Sequence, residues 1–342
     1  MKSVRRMPRA DAEMDLAPRV SFIAWSAVEG RSREIAKLLG GEAKCFFALG
    51  SSRRSIAPLR YFLDGVRTTA YLWTRRPRSV IATNPPVFPG LLALAYGRLV
   101  GAPVLLDSHP AAFGQKESLS GRILLPVHRW MVSRVDGNIL PSEELAEVVR
   151  GWGGRAGVFH EAPPAWNVRQ PEPGPRVRVL LVGVLAPDEP VAEAVEAARM
   201  SPSLDLYVTG DTRKLAHGIV QGAPSNVSFV GFLRGEAFRT ELEKADIVLT
   251  LSTNETAAMR AAYEAVYAGR PLVVSASEER GRLFPYAIQV MNDAASIAAG
   301  LQEASERLVE LYRAVPEALE LQRTRLNEQL ATFAPITAGD PV

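Results

Sequence analysis

Arg260 and Glu264 stand four residues apart in Leu251–Ser275, LSTNETAAMRAAYEAVYAGRPLVVS. An apolar run ends, the polar loop Ser252–Thr256 follows, and a helix is expected over Ala257–Ala268, capped by Asn254 or Thr256. Free N–H groups and the dipole at such a helix start favour a phosphate. Arg260 lies one turn in, and Glu264 one turn further on the same face. A carboxylate there is placed to accept hydrogen bonds from ribose hydroxyls. The same spacing equally describes a surface ion pair on an ordinary helix. Gly269-Arg270-Pro271 ends the helix before the next strand.

A second group closes three apolar runs in the first half. Gly30-Arg31-Ser32 follows VSFIAW, Asn84-Pro85-Pro86 follows SVIAT, and Asp107-Ser108-His109 closes PVLLD. Gly30 permits a tight turn where backbone approaches a phosphate. His109 is a candidate to contact a sugar or an acceptor, and Asp107 to orient it or act as a base. The alternative is a strand-end pair satisfied by nearby backbone. In the second half Gly183 follows RVLLV and Gly210 follows DLYVT. Arg213 and Lys214, just beyond, either supply charge to a phosphate or belong to a solvated loop.

The elements that must position these residues alternate. Strands are expected at Val20–Trp25, Ala43–Ala48, Ser79–Thr83, Pro103–Asp107, Gly137–Leu140 and Gly157–His160, with helices at Ser32–Leu39, Pro58–Thr74, Pro89–Val100, Arg122–Arg134 and Ser142–Arg150. The proline-rich Ala162–Pro175 reads as a linker. Strands then resume at Arg178–Val182, Asp205–Thr209, Val227–Val230, Ile247–Leu251 and Pro271–Ser275, with helices at Val191–Arg199, Phe238–Ala245 and Ala294–Val315. Alternation of this kind argues for two doubly wound parallel sheets, residues 1–165 and 166–342, with ligands beyond the carboxyl ends of the strands in a cleft between them.

Composition agrees with a globular protein of 342 residues, 47% hydrophobic and 23% charged. A single cysteine, Cys45, forms no internal disulfide and fits a reducing cytoplasm. The basic start MKSVRRMPRA lacks the apolar stretch of a signal peptide. The most apolar window, Val87–Leu106, is interrupted by Arg98 and Pro103 and reads as helix, turn and strand. Charge is uneven. Residues 1–165 carry 23 Lys/Arg against 14 Asp/Glu, a balance of +9, whereas the remainder is at −6. The first half is therefore expected to face something anionic. Arginines 53, 54, 60, 67, 75, 76 and 78 mix with Tyr61, Phe62, Tyr71 and Trp73, a pattern that seats proteins on anionic lipid or forms a buried apolar face with solvated arginines. No nucleic-acid-binding motif accompanies these charges, so nucleic acid is not an expected partner.

Glu264-Ala265, two residues, then Ala268-Gly269-Arg270-Pro271 and an apolar strand, resembles the donor-site signature of GT-B glycosyltransferases of the family 4 type. That resemblance implies that Glu264 holds the donor ribose. The family's partner glutamate lies eight residues earlier, where this chain has Thr256, with Glu255 one place off. The family's phosphate-gripping arginine and lysine are replaced by Val184 and Glu189 after Gly183. The three strand-end tripeptides of the first half resemble β-1,4-mannosyltransferases of lipid-linked oligosaccharide synthesis.

The resemblance implies a GT-B fold, with an acceptor-binding first domain and a nucleotide-sugar-binding second domain. The last helix is open to packing back on the first. It implies a hexosyltransferase-like enzyme that moves a sugar from a nucleoside-diphosphate sugar to a glycan, lipid-linked or small-molecule hydroxyl, with no metal or other cofactor. Expected donor contacts are Glu264, Arg260, Thr256, Glu255, Asn254, Gly183, Gly210, Arg213, Lys214, Gly30, Arg31 and Ser32. Asn84 is expected on the acceptor side, and Asp107 and His109 at the reacting centre. Retention and inversion both stay open. A sugar-nucleotide epimerase and a non-catalytic binding protein are the alternatives. The expected location is the cytoplasm, with peripheral contact at the inner membrane face.

Overall fold

The computed structural model of the chain describes residues 19–27, 30–51, 53–113, 119–161, 174–255 and 259–338. A first sheet is built from β1 (Val20–Ala24), β2 (Glu42–Cys45), β3 (Ser79–Asn84), β4 (Val104–Ser108), β5 (Gly137–Leu140) and β6 (Ala156–Val158). Its order is β2-β1-β3-β4-β5-β6. β1 pairs in parallel with β2 and β3, and β4 in parallel with β3 and β5. The connecting helices are α1 (Gly30–Leu38), α2 (Ala57–Arg75), α3 (Val87–Val100), α4 (Leu119–Val132) and α5 (Glu143–Gly151). β1, β3 and β4 are buried from end to end, which is why they read as unbroken apolar runs rather than as alternation. The apolar window Val87–Leu106 is α3, a turn at Gly101 in the left-handed region, and β4.

The second sheet contains β7 (Val177–Leu181), β8 (Leu204–Thr209), β9 (Val227–Gly231), β10 (Ile247–Thr250), β11 (Leu272–Ser275) and β12 (Ile288–Val290), in the order β12-β11-β10-β7-β8-β9. Around it run α6 (Val191–Met200), α7 (His217–Gln221), α8 (Gly235–Lys244), α9 (Arg260–Tyr267), α10 (Glu278–Leu283), α11 (Ala294–Glu306) and α12 (Leu308–Ala338). Alternate residues of β7 feed two separate cores. Val179 and Leu181 pack with residues of α6 and α11, and Leu180 with residues of α8 and α9. Both sheets have a switch point where the order reverses, between β1 and β3 in one and between β7 and β10 in the other. Crevices for ligands open there, at the carboxyl ends of the strands.

The chain divides into two compact units. One takes the chain up to Ile139, Glu147–Ala156 and the segment from Thr332; the other takes Leu140–Ala146 and Gly157–Ala331. The expected linker falls mostly on residues 162–173, outside the described residues.

Several boundaries differ from expectation. β2 stops at Cys45, and the chain turns through Ala48–Gly50 instead of extending to Ala48. Gly30 is the first residue of α1 rather than part of a tight turn. α9 starts at Arg260 with Met259 before it and no side-chain cap, so Asn254 does not cap it; Thr256 lies outside the described residues. α12 passes the expected stop at Val315 and runs to Ala338. Burial of Leu311, Gln322 and Phe333 along its length offsets the hydrogen bond lost at Pro316.

Arg270, in the Gly-Arg-Pro that ends the helix, is buried and does structural work. Its Nε donates to Leu242 O at 3.2 Å, its Nη2 to Glu243 O at 2.8 Å and its Nη1 to the Tyr312 hydroxyl at 3.3 Å. It thus closes the carboxyl end of α8 onto α12. Arg270→Met strands these acceptors away from water and is expected to cost about 3 kcal/mol in denaturant unfolding. A loss under about 0.5 kcal/mol contradicts this assignment.

Candidate functional site

In the first unit Asp107 is almost fully buried at the end of β4, and Arg31 reaches it from α1. The Arg31 Nε lies 3.3 Å from each carboxylate oxygen, and Nη2 3.3 Å from Oδ1. His109 Nε2 lies 3.4 Å from Oδ2. Burial on its own raises this carboxyl, but the guanidinium and the imidazole outweigh it and hold the group down to about 2. Asp107 is therefore held in its ionised form. Its role is to anchor Arg31 and hold His109, whose side chain is about one-third exposed at the rim. Arg31, expected to meet donor phosphate, is engaged with this carboxylate.

Beneath the rim a polar chain fixes the loops. The His109 N–H donates to Asn84 O at 2.8 Å, tying the end of β3 to the end of β4. Asn84 Nδ2 donates to Ser108 Oγ at 3.4 Å, Ser108 Oγ lies 3.2 Å from His128 Nε2, and His128 Nδ1 lies 3.1 Å from Ala112 O. A carbonyl accepts only, so Nδ1 carries the proton and Nε2 accepts from Ser108. Phe113 and Trp152 enclose the imidazole edge-on. Burial pulls His128 down to about 4, against the weaker opposing pull of the Ala112 carbonyl. Sequence reasoning missed His128, because nothing near it in sequence marks it. Three buried atoms on the same rim, Ser32 Oγ, Thr83 Oγ1 and Asn84 Oδ1, have no partner among the described residues.

In the second unit a cavity of about 570 Å³ opens at the β7/β10 switch point, with Gly183, Thr209, Ser252, Arg260 and Glu264 in its walls. Arg260 is not a lone cation. Its Nε donates to Glu264 Oε1 at 2.9 Å, and its Nη1 to Glu161 Oε2 at 2.6 Å. Burial raises the Glu264 carboxyl despite Arg260. The loops are fastened around the cavity. Ser252 Oγ donates to Asp188 at 2.8 Å, its N–H donates to Ser275 Oγ at 3.0 Å, and its carbonyl accepts from Asn292 at 3.1 Å. Arg280 donates to Ser275 O and to Asn254 O, holding the exposed loop that also carries Glu255.

The loop after β7 holds a feature the sequence did not reveal. Glu189 folds back so that its carboxylate accepts from the backbone N–H groups of Val184 at 3.2 Å, Leu185 at 2.7 Å and Ala186 at 3.3 Å. Three convergent amides form an anion receptor, and an internal anion fills it. A Cβ at Gly183 would meet the Glu189 carboxylate and push it off the amides. Gly210 is required because its φ is +112° and a Cβ would meet Leu185 Cγ at 2.5 Å. The cations lie to one side. Arg213 Nε and Nη2 bind Asp211 at 2.8 and 2.7 Å, and Lys214 Nζ donates to Val184 O at 2.7 Å. With Arg234 they line a second hollow of about 460 Å³. The exposed ring of Phe232 is shared by both hollows.

His128 gives a pH dependence of defined sign. Its folded pKa lies below the ordinary 6.5, so the unfolded chain takes up a proton that the folded chain refuses. Stability from this residue is full above about pH 6.5 and falls as pH drops toward 4, by on the order of 3 kcal/mol. Unfolding free energies at pH 7 and pH 4.5 should differ less in His128→Gln than in the wild type; equal slopes contradict the assignment.

Residues 20–165 match the glycosyl transferase 4-like domain family. No curated protein matches the sequence. Sucrose-phosphate synthase from Thermosynechococcus elongatus superposes with a TM-score of 0.66 at 16% identity, over 92% of this chain and 99% of that one. Anabaena HepE in complex with UDP-glucose gives 0.68 at 14% identity, over 93% and 98%. The lipopolysaccharide outer core galactosyltransferase WaaB gives 0.57 at 16%, over 88% and 94%. Identities this low speak to fold alone. The two parallel six-stranded sheets match the two Rossmann-like domains of these proteins, and the fold is GT-B.

Proposed function

We propose that the chain is a glycosyltransferase that moves a sugar from a nucleoside-diphosphate sugar to an acceptor hydroxyl. The observation that carries this reading is the cavity at the β7/β10 switch point, which has Arg260 and the largely buried Glu264 in one wall, with Glu161 also on Arg260, and three convergent amides at the other side. In this reading Glu264 accepts from the ribose hydroxyls, held in place by Arg260. The amides of Val184–Ala186 take a donor phosphate after Glu189 swings away. The ring of Phe232 offers a face for the base. Relatives of the same fold bind UDP-glucose or carry galactosyltransferase names, which supports a hexosyl donor.

The charge of the departing diphosphate must be stabilised. Backbone amides and Lys214 can do so without a metal, so the reaction is proposed to be metal-independent. His109 takes the proton of the acceptor hydroxyl, with the Asp107 carboxylate fixing its orientation and offsetting the positive charge of the imidazolium. The acceptor is a glycan, a lipid-linked molecule or a small molecule. The positive charge of the first half supports a peripheral seat on the cytoplasmic membrane face as part of this reading. Among the described residues no helix is long and apolar enough to cross a membrane.

A thermal-shift screen against UDP-, GDP- and dTDP-sugars tests the donor. A ligand at 100 times its Kd should add about 2.7 kcal/mol of stability. Glu264→Ala should then weaken the responding donor by about 1.5–3 kcal/mol, the worth of a charged hydrogen bond, with the fold intact. Unchanged affinity by calorimetry would remove Glu264 from the donor site. His109→Ala should lower kcat far more than it changes donor Kd. Donor binding without turnover against any acceptor would make the chain a nucleotide-sugar-binding protein instead.

A further inference from the structure

Arg260 is shared between two carboxylates. Its Nε reaches Glu264 Oε1 at 2.9 Å, and its Nη1 reaches Glu161 Oε2 at 2.6 Å. A guanidinium offered a single carboxylate commonly closes on both oxygens as a two-bond fork. Here the fork is split, and among the described residues Glu264 Oε2 accepts from none. Glu264 lines the cavity at the β7/β10 switch point, and its side chain is only 15% exposed. A fork closed on both oxygens would leave a ligand little of this carboxylate to bind. An arginine already answered by two carboxylates does not invite a phosphate. The group that suits the remaining oxygen is a hydroxyl that donates. Glu161 is not among the described residues that line the cavity, so its effect on a ligand passes through Arg260.

Glu161 is itself held from far along the chain. The residue before it, His160, is gripped by Gln329 of α12 through two hydrogen bonds. The His160 N–H donates to Gln329 Oε1 at 2.9 Å, and Gln329 Nε2 lies 2.7 Å from His160 Nδ1. A backbone N–H only donates, so the amide oxygen faces it. The amide nitrogen, which also only donates, then faces Nδ1, and Nδ1 accepts. Gln329 thus fits the neutral imidazole and the backbone of one residue together. The imidazole also stacks on Tyr263 of α9, with ring centroids 5.8 Å apart and planes 28° from parallel. Tyr263 is buried, immediately precedes Glu264 and packs edge-on against Phe284 at 4.9 Å. The pair His160-Glu161 is therefore fixed between α12 and the helix that carries Arg260 and Glu264. All of these residues belong to the second unit.

We propose that Glu161 is a positioning residue for Glu264. By holding the Nη1 end of Arg260 it keeps the fork open and leaves Glu264 Oε2 to the hydroxyls of a vicinal diol. Gln329 keeps Glu161 in place through His160. The identity of the diol as the donor ribose rests on the glycosyltransferase reading; the open fork does not.

Two measurements test this. The first is the ligand-free crystal structure of Glu161→Ala. There the Arg260 guanidinium should lie within hydrogen-bond distance of both Glu264 oxygens. A lone Nε bond to Glu264, as in the wild type, overturns the proposal. The second is calorimetry of the best-binding nucleoside diphosphate and of its 2′,3′-dideoxy counterpart, which lacks both ribose hydroxyls. The wild type should prefer the ribonucleotide by about tenfold, as expected for a charged hydrogen bond. Glu161→Ala should cut that preference below about threefold and leave the dideoxy affinity unchanged. Adding Arg260→Lys to Glu161→Ala should restore the preference, because an ammonium cannot form a fork. Gln329→Leu should lower the preference as well, and Arg260→Lys should restore it there too.

Full preference retained in Glu161→Ala overturns the proposal. So does a loss that Arg260→Lys fails to restore, which would mark a general disturbance of the pocket. An unchanged preference in Gln329→Leu overturns the part given to Gln329. A wild type that binds no nucleoside diphosphate would sink the donor reading, and the crystal structure of Glu161→Ala would still decide whether the fork closes.

Discussion

Parallel strands end together, and the loops beyond them leave backbone N–H groups and strand-end side chains pointing at one edge. Those groups must be satisfied before any ligand arrives. Here each sheet meets this constraint with an internal carboxylate. Asp107 gathers Arg31 and His109 at the edge of the first sheet. Glu189 gathers three amides at the edge of the second. The remaining geometry of both sites follows from these two anions. Arg31 is engaged with Asp107 through Nε and Nη2, and the amides of the β7 loop are preformed but filled.

The two carboxylates differ in how firmly they are held. Asp107 is buried under a guanidinium and an imidazole, and the polar chain from Asn84 through Ser108 to His128 supports the strand ends around it. Removing Arg31 would leave the buried Asp107 carboxylate with only His109 to offset its charge. Glu189 is held by backbone amides beside an open cavity, and water or a phosphate can take its place. A bound anion that a stronger anion displaces keeps the loop in its binding shape while the site is empty, and makes the ligand compete for entry. Lys214, on the Val184 carbonyl, places positive charge beside that loop.

Much of this was legible in the sequence because burial of parallel strands leaves a local trace. VSFIA, SVIATN and VLLDS are buried on both faces, so they stand out as apolar runs, and their last residues mark the ligand edge. The helical spacing of Arg260 and Glu264 put them on one face, where they pair. What the sequence concealed are contacts between residues far apart or turned by unusual backbone. Glu161 meets Arg260 across 99 positions. Glu189 reaches its amides because Leu185 adopts a left-handed φ of +57°, which no neighbouring residue announces. His128 matters through Ser108, twenty positions away. The short α10 and β12 lack the length for a period to show, and α12 outruns Pro316 because tertiary burial outweighs local propensity.

The central claim is that the amide-lined loop after β7 is a phosphate site occupied in the empty protein by Glu189. Calorimetry of the best-binding nucleoside diphosphate and of its parent nucleoside, in the wild type and in Glu189→Gln, tests this most directly. Removing the competing charge should tighten the diphosphate at least tenfold and leave the nucleoside unchanged. Equal or weaker diphosphate binding in Glu189→Gln, with the protein folded, would contradict the account.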